Sequence, residues 1–254
     1  VSTEYTGGGD PQRSIELLWN LQERPRRGPK PRLSVALIVA EATRSSDVDG
    51  LAALTMRRVA DSLGVATMSL YTYVPSKAEL IDLMMDAAHG ELERPADLEG
   101  GWRAKLEFIA KATWELYHRH PWMLQVITSR PPLGPHTMAK YEYELSAVDG
   151  LNLTDLEMET VVSLITSYVQ GAARNALDAA QLVQRTGMTD QQWWNATAPV
   201  LEKVVTAENF PLSGRVGSAT GQEYGSAHAS GHTFSFALSL VLDGIAAFIG
   251  SRAR

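Results

Sequence analysis

Cysteine is absent from the 254 residues. That removes disulfides and thiolate metal sites at once and fits a reducing compartment, so the cytoplasm is the expected location. No stretch approaches the roughly 18 consecutive apolar residues of a membrane span, and no membrane partner is expected. The N-terminus carries no charged-then-apolar leader pattern; it is acidic and glycine-rich, with Glu4, Gly7, Gly8, Gly9 and Asp10. Strand signals are negligible and no internal repeat is visible. The vocabulary of catalysis is thin as well. There is no Gly-rich phosphate loop, Gly-x-Ser-x-Gly elbow or His-Glu-x-x-His pair. Glu115 and His118 have the Glu-x-x-His spacing of carboxylate-bridged metal bundles, but that chemistry needs two copies and one occurs here. His118 and His120 stand two apart and so point to different sides of a helix. No metal, no cofactor and no enzymatic activity are expected.

What is present is helical pattern and an uneven charge. The net charge is −6, but it divides sharply. Residues 24–77 hold nine basic and four acidic side chains, a net +5. Residues 78–254 hold 13 and 21, a net −8, and residues 1–23 hold one and four, a net −3. A cationic end joined to an acidic body is the footprint of a chain that meets nucleic acid at one end.

The stretch that organises the chain is residues 54–77. A short helix over residues 56–63 places Val59, Ala60 and Leu63 on one face. Gly64 follows, where a left-handed stop suits glycine, and a second short helix covers residues 67–73. Ala60, Gly64 and Leu70 stand at the offsets of a helix-turn-helix: a small residue for close approach, a glycine for the turn and an apolar pin. The string Leu54, Thr55, Arg57, Val59, Ala60, Leu63, Gly64, Val65, Leu70, Tyr71, Val74, Lys77 and Leu80 resembles the DNA-binding domain of the tetracycline-repressor (TetR) family over about residues 33–90.

Beyond residue 90 the likeness lies in helical architecture and not in motif. It implies an all-α chain, with an N-terminal three-helix helix-turn-helix DNA-binding domain at 33–90 and a C-terminal helical ligand-binding and dimerisation domain at 91–254. The family's DNA-contacting positions map onto Arg57, Thr67, Met68, Ser69, Tyr71, Thr72, Tyr73 and Lys77. Arg57 and Lys77 bracket the recognition helix and suit phosphate, while Thr67, Met68 and Ser69 open it toward base edges. Leu70 and Val74 are expected in the core.

Ahead of this domain lies a flexible basic arm over residues 1–32. Residues 1–12 read as disordered, and Ile15 to Leu21 as one or two helical turns that either dock or fray. Arg24, Arg26, Arg27, Lys30 and Arg32 alternate with three prolines and a glycine, an extended cationic segment similar to a minor-groove-binding AT-hook, although that motif's central Arg-Gly-Arg-Pro is missing.

Ser34 is the expected cap of the first globular helix, with Leu33 and Ile38 as a hydrophobic staple, an end near Arg44 and a polar loop to Gly50. Pro75 breaks the chain, and Ser76 with Glu79 forms a capping box for a long helix to about Pro95. Helices are then expected over residues 103–120, 122–128, 138–148, 154–186, 188–205 and 233–252, with a long glycine-rich loop at 209–232. Aromatic and mixed polar residues of the body outline an effector pocket: Trp114, Tyr117, Trp122, Tyr168, Gln170, Arg174, Asn175, Trp193 and Trp194. Apolar seams at Met158, Val162, Ile165 and Val169, and at Phe234, Leu238, Val241, Ile245 and Phe248, point to a four-helix dimer interface.

The family resemblance implies a homodimeric repressor on a palindromic double-stranded DNA operator, released by a small-molecule effector and controlling a neighbouring efflux or biosynthesis gene. A transcriptional activator or protein-responsive regulator of the same fold is the alternative within that class, and a helical enzyme or small-molecule-binding protein the alternative outside it.

Overall fold

Asp10 and Pro11 start a helix where composition predicts disorder. Asp10 is extended and its side chain accepts the Arg13 N–H, Pro11 fills the first helical position, and α1 runs Pro11–Leu18. Ahead of it Glu4–Tyr5 forms β1, which pairs in parallel with Val126–Ile127. The segment is ordered because it has partners: Leu17 and Leu18 are buried, and the Trp19 indole donates to the Leu133 carbonyl at 2.8 Å. The computed structural model describes residues 4–21, 33–206, 208–225 and 233–252.

Ser34 caps α2, accepting the Leu37 N–H at 3.2 Å. This helix runs Val35–Asp49, about one turn past the expected end. Ser45 and Ser46 prolong it because both are buried and the Ser46 hydroxyl donates back to the Ala42 carbonyl at 2.8 Å. A 3-10 turn at Leu51–Ala53 leads to α3, Met56–Ser62, and α4 follows at Thr67–Tyr71. After Pro75, Ser76 caps α5, Lys77–His89. The core of these elements is Ile38, Ala42, Leu54, Val59, Ala60, Leu70, Val74, Leu80 and Met84, each at most 1% exposed.

Next come α6, Gly101–Arg119, and a 3-10 turn at Pro121–Gln125, where the sequence predicts a short helix. The turn runs straight into β2, Val126–Ile127, whose backbone is claimed by β1. Leu106, Ile109, Ala110, Thr113 and Tyr117 are buried on α6 as its periodicity predicts. Then α7 occupies Pro135–Leu145, and α8 runs Asp155–Thr186 to a stop at Gly187, φ +67°.

Two compact units emerge: residues up to Thr166 with those from Ile249 onward, and Ser167–Phe248. The second holds the end of α8, α9 at Asp190–Leu201, α10 at Pro211–Tyr224 and most of α11, Phe234–Arg252. Thr189 and Gln192 form a capping box that starts α9. The expected glycine-rich loop is largely helix α10. Its Gly221 is buried, and a Cβ there would stand 2.5 Å from the Trp194 indole. Glycine here permits close packing of α10 on α9, where composition alone suggests mobility. By length and mean hydropathy, 1.8, α11 would pass for a membrane span, contrary to expectation. Within its unit it buries one face only, through Phe234, Leu238, Leu242 and Ile245.

Candidate nucleic-acid interface and effector region

The turn between α3 and α4 is closed by its own backbone. Gly64 sits at φ +65°, the Val65 N–H donates to the Ala60 carbonyl at 3.0 Å, and the Gly64 N–H donates to the Asp61 carbonyl at 3.2 Å. This is the paired 6→1 and 5→2 bonding of a Schellman stop, and it aims the chain directly into α4. Thr55 caps α3 by accepting the Arg58 N–H at 3.1 Å. Arg58 in turn reaches Asp49 at 2.6 Å, and Ser62 donates to Glu41, tying α3 to α2. The Arg44 hydrogen bond, followed by that of Ser62, holds the Glu41 carboxyl down to about 2.

On α4 the division of labour is sharp. Leu70 and, just beyond, Val74 are fully buried and anchor the helix. Met68, 74% exposed, faces out with Ser69, Tyr71 and Thr72, while Thr67 and Tyr73 are half-buried. Arg57 lies out on α3 beside Asp61, 3.8 Å away. Met68 is thus a large apolar side chain left bare at the head of a short anchored helix. Its setting suits contact with thymine methyls or the sugar–phosphate edge. Lys77 is engaged otherwise: its ammonium donates to Glu4 at 2.8 Å. Arg24, Arg26, Arg27, Lys30 and Arg32 lie outside the described residues.

The nine residues whose composition suits an effector pocket do not share one environment. In the first unit, Trp122 is fully enclosed and its indole donates to Asp47 at 2.9 Å, making it a packing anchor and not a pocket wall. Tyr117 is buried, and Trp114 stacks near His118, ring centres 4.4 Å apart. A groove of about 390 Å³ runs along the same helix past Phe108, Lys111, Glu115 and Arg119, with Glu91 and Glu93 opposite. The signal missed in sequence is that α6 carries these charged residues on a second face. In the other unit, Tyr168 stacks on Phe234, centres 5.7 Å apart, and its hydroxyl donates to the Phe234 carbonyl at 2.6 Å. Gln170 is half-buried, Arg174 and Asn175 are exposed on α8, and Trp193 and Trp194 lie side by side on α9, centres 6.5 Å apart. Among the described residues no cluster of three or more His, Asp or Glu could hold a metal ion.

The apolar seams are also used differently from expectation. Val162, Ile165, Val169, Phe234, Leu238 and Ile245 are already buried within one subunit, with Met158, Val241 and Phe248 half-buried. Among the described residues, the large apolar side chains left bare are Leu156, Leu164 and Leu182 on α8 and Phe236 and Leu240 on α11.

Comparison with known proteins decides the family. The model for bacterial regulatory proteins of the tetR family matches residues 33–84, and that for the tetracyclin repressor-like C-terminal domain matches residues 94–249. The chain belongs to the TetR family. It is 45% identical over 253 residues to the HTH-type transcriptional repressor DrrR1 of Streptomyces coeruleorubidus, covering 99% of this chain and 91% of that protein. The TetR fold is matched by apo ActR of Streptomyces coelicolor, with a TM-score of 0.69, 22% identity, and coverage of 88% of this chain and 99% of that one. ActR in complex with actinorhodin gives a TM-score of 0.66 at 24% identity, covering 88% and 100%. As a TetR-family chain, this protein is an all-α, DNA-binding transcriptional regulator and not an enzyme.

Proposed function

We propose that the protein is a homodimeric, ligand-released repressor that works in the cytoplasm on a palindromic operator near an efflux or biosynthesis gene. Residues 33–90 form its DNA-binding domain and 91–254 its effector and dimer domain. The observation that carries this reading is α4: Leu70 and Val74 are spent inward while Met68, Ser69 and Tyr71 stand outward with nothing of the fold to cover them. Repressor activity is supported by the relation to DrrR1 over almost the whole chain.

Actinorhodin bound to ActR supports an aromatic, polycyclic effector. Trp193, Trp194, Tyr168, Gln170, Arg174 and Asn175 supply apolar surface and polar handles within one unit. Release follows if the effector binds unequally to the DNA-bound and free attitudes of the recognition helices. A mobility shift with the DNA upstream of its own gene, at fixed salt, tests the reading. Binding that weakens with salt and is relieved by actinorhodin as probe, with tryptophan quenching, supports it; absence of any shift overturns it.

A further inference from the structure

Helix α5 connects the recognition unit to the body, and its polar residues are arranged unusually. Glu79, Asp82 and Asp86, at i, i+3 and i+7, are each at most 4% exposed. One helical face therefore carries a row of three buried carboxylates, and each receives backbone N–H groups from another segment. Asp86 takes those of Thr137 at 2.8 Å and His136 at 3.4 Å, from the first turn of α7. The other two are served by the N-terminal segment. The Gly7 N–H donates to Asp82 Oδ1 at 2.9 Å, and the Asp10 N–H donates to Glu79 Oε1 at 3.2 Å. Glu79 thus looks outward from its own helix, and the expected capping box is replaced by a Ser76 hydroxyl donating to it.

The same segment is fastened at its other side to residues 126–133. β1 pairs with β2, the buried Thr6 hydroxyl donates to the Arg130 carbonyl at 2.6 Å, and Trp19 donates to Leu133. Two glycines make the close approach possible. Gly7 adopts φ +66° against Arg130, and a Cβ on Gly9 would sit 2.3 Å from Glu79 Oε1. Glu4 finally reaches Lys77, the first residue of α5.

We infer that residues 4–21 are a strap: they hold α5 in one attitude against residues 126–133, and thereby set how tightly the recognition helix engages DNA. The segment precedes both family-matched regions, 33–84 and 94–249, so this grip lies outside what the family models match. Any change in the attitude of α5 breaks the hydrogen bonds that tie it to the strap, and the strap therefore biases whatever equilibrium of α5 is coupled to DNA release. Burial raises the Asp82 carboxyl above its usual range, and the Gly7 N–H draws it back. Withdrawing the strap would leave that buried carboxylate without this donor.

The inference rests on the operator-binding reading, so one arm of its test needs no DNA. In the full chain, Gly7→Val loads a β-branched residue onto a left-handed turn and displaces its N–H from Asp82. In the cysteine-free background, Tyr5→Cys with Ile127→Cys joins two exposed, directly paired positions and locks the strap when oxidised. Hydrogen exchange of the amides of residues 80–86 should rise about tenfold or more in Gly7→Val relative to those of α6, and should be slower in the oxidised lock than in its reduced form. Affinity for the upstream DNA should fall about fivefold or more in Gly7→Val and be unchanged or tighter in the oxidised lock. Exchange and affinity both within twofold of wild type in Gly7→Val would overturn the strap. Altered exchange with unaltered DNA affinity would overturn its regulatory role. A wild type that binds no DNA would instead count against the function proposed above, with exchange still judging the grip on α5.

Discussion

His120 Nδ1 stands 2.8 Å from Asp47 Oδ1, and the Trp122 indole donates to the same oxygen at 2.9 Å. Asp47 belongs to α2, beside the recognition unit, whereas His120 and Trp122 follow α6. The other ring nitrogen of His120 lies 3.1 Å from Glu91, just past α5, and Arg119 holds the second oxygen of Glu91 at 2.6 Å. One buried imidazole therefore joins three helices. His120→Ala should lower the free energy of unfolding by about 2–3 kcal/mol, because it removes hydrogen bonds to two carboxylates and empties a buried site. Trp122→Phe keeps most of the ring and loses only the N–H, with an expected cost of about 1 kcal/mol. Urea melts that rank the two in the opposite order would show that packing, and not the hydrogen bonds, dominates this junction.

His89, on α5, meets the Thr137 hydroxyl at 2.9 Å. Burial first, and then the charges of Lys140, Arg94 and His136, push its pKa from 6.5 down to about 3. The folded chain keeps this ring neutral while the unfolded chain takes up the proton near 6.5. Stability from this source is fully present above pH 6.5 and is lost as the pH falls toward 3. His89 as a whole is half-buried, so the loss is expected to be about 2 kcal/mol and not the full shift. Thermal melts of His89→Gln between pH 7 and about 4 should show a shallower decline than wild type. Parallel curves for the two proteins would place the acid sensitivity elsewhere.

On the recognition helix, Met68→Ala and Ser69→Ala change exposed side chains and should leave the melting curve in place. Each should weaken operator binding by about 1–3 kcal/mol where the contact is to a base. Leu70→Ala, two residues away from Met68, should instead destabilise the fold by about 2–5 kcal/mol. Equal operator affinity for wild type, Met68→Ala and Ser69→Ala at one salt concentration would remove α4 from the interface.

These contrasts also mark where sequence reading succeeds and fails. Ser34, Thr55, Gly64 and Ser76 are legible because a cap or a left-handed turn is decided within a few residues. The inward set of α6 is legible because one face carries it at a regular period. Gly7, Gly9 and Gly221 read as looseness, yet Gly7 takes a left-handed φ of +66° against Arg130, and a distant side chain occupies the space of a Cβ on Gly9 and on Gly221. Nothing local to Glu79, Asp82 and Asp86 reveals that remote backbone N–H groups will satisfy all three carboxylates. Trp122 shows the same limit for the effector region: its composition suits a pocket, and Asp47, 75 residues away, makes it an anchor.

The dimer seam is the last case. On α11 the period of Phe234, Leu238, Leu242 and Ile245 marks a buried face, but that face is covered inside the second unit, where Tyr168 stacks on Phe234 and bonds its carbonyl. The opposite side presents Phe236, 68% exposed, and Leu240, 56% exposed, followed by Gly244 and Ala247. A helix with mean hydropathy 1.8 that leaves such a stripe bare is stable in water when a second copy covers it, and small residues at its far end allow close approach. Phe236→Glu or Leu240→Glu should therefore split the dimer while leaving the helical signal and melting of the subunit nearly unchanged. Leu238→Glu, 1% exposed in the wild type, should cost several kcal/mol, of the order expected for an unpaired carboxylate in the core, and lose the fold itself. Sedimentation at micromolar concentration separates the outcomes. Wild type is expected at twice the 27.7 kDa chain mass, and the two surface variants at the single chain mass. Dimers that survive both surface substitutions would move the interface off this face of α11.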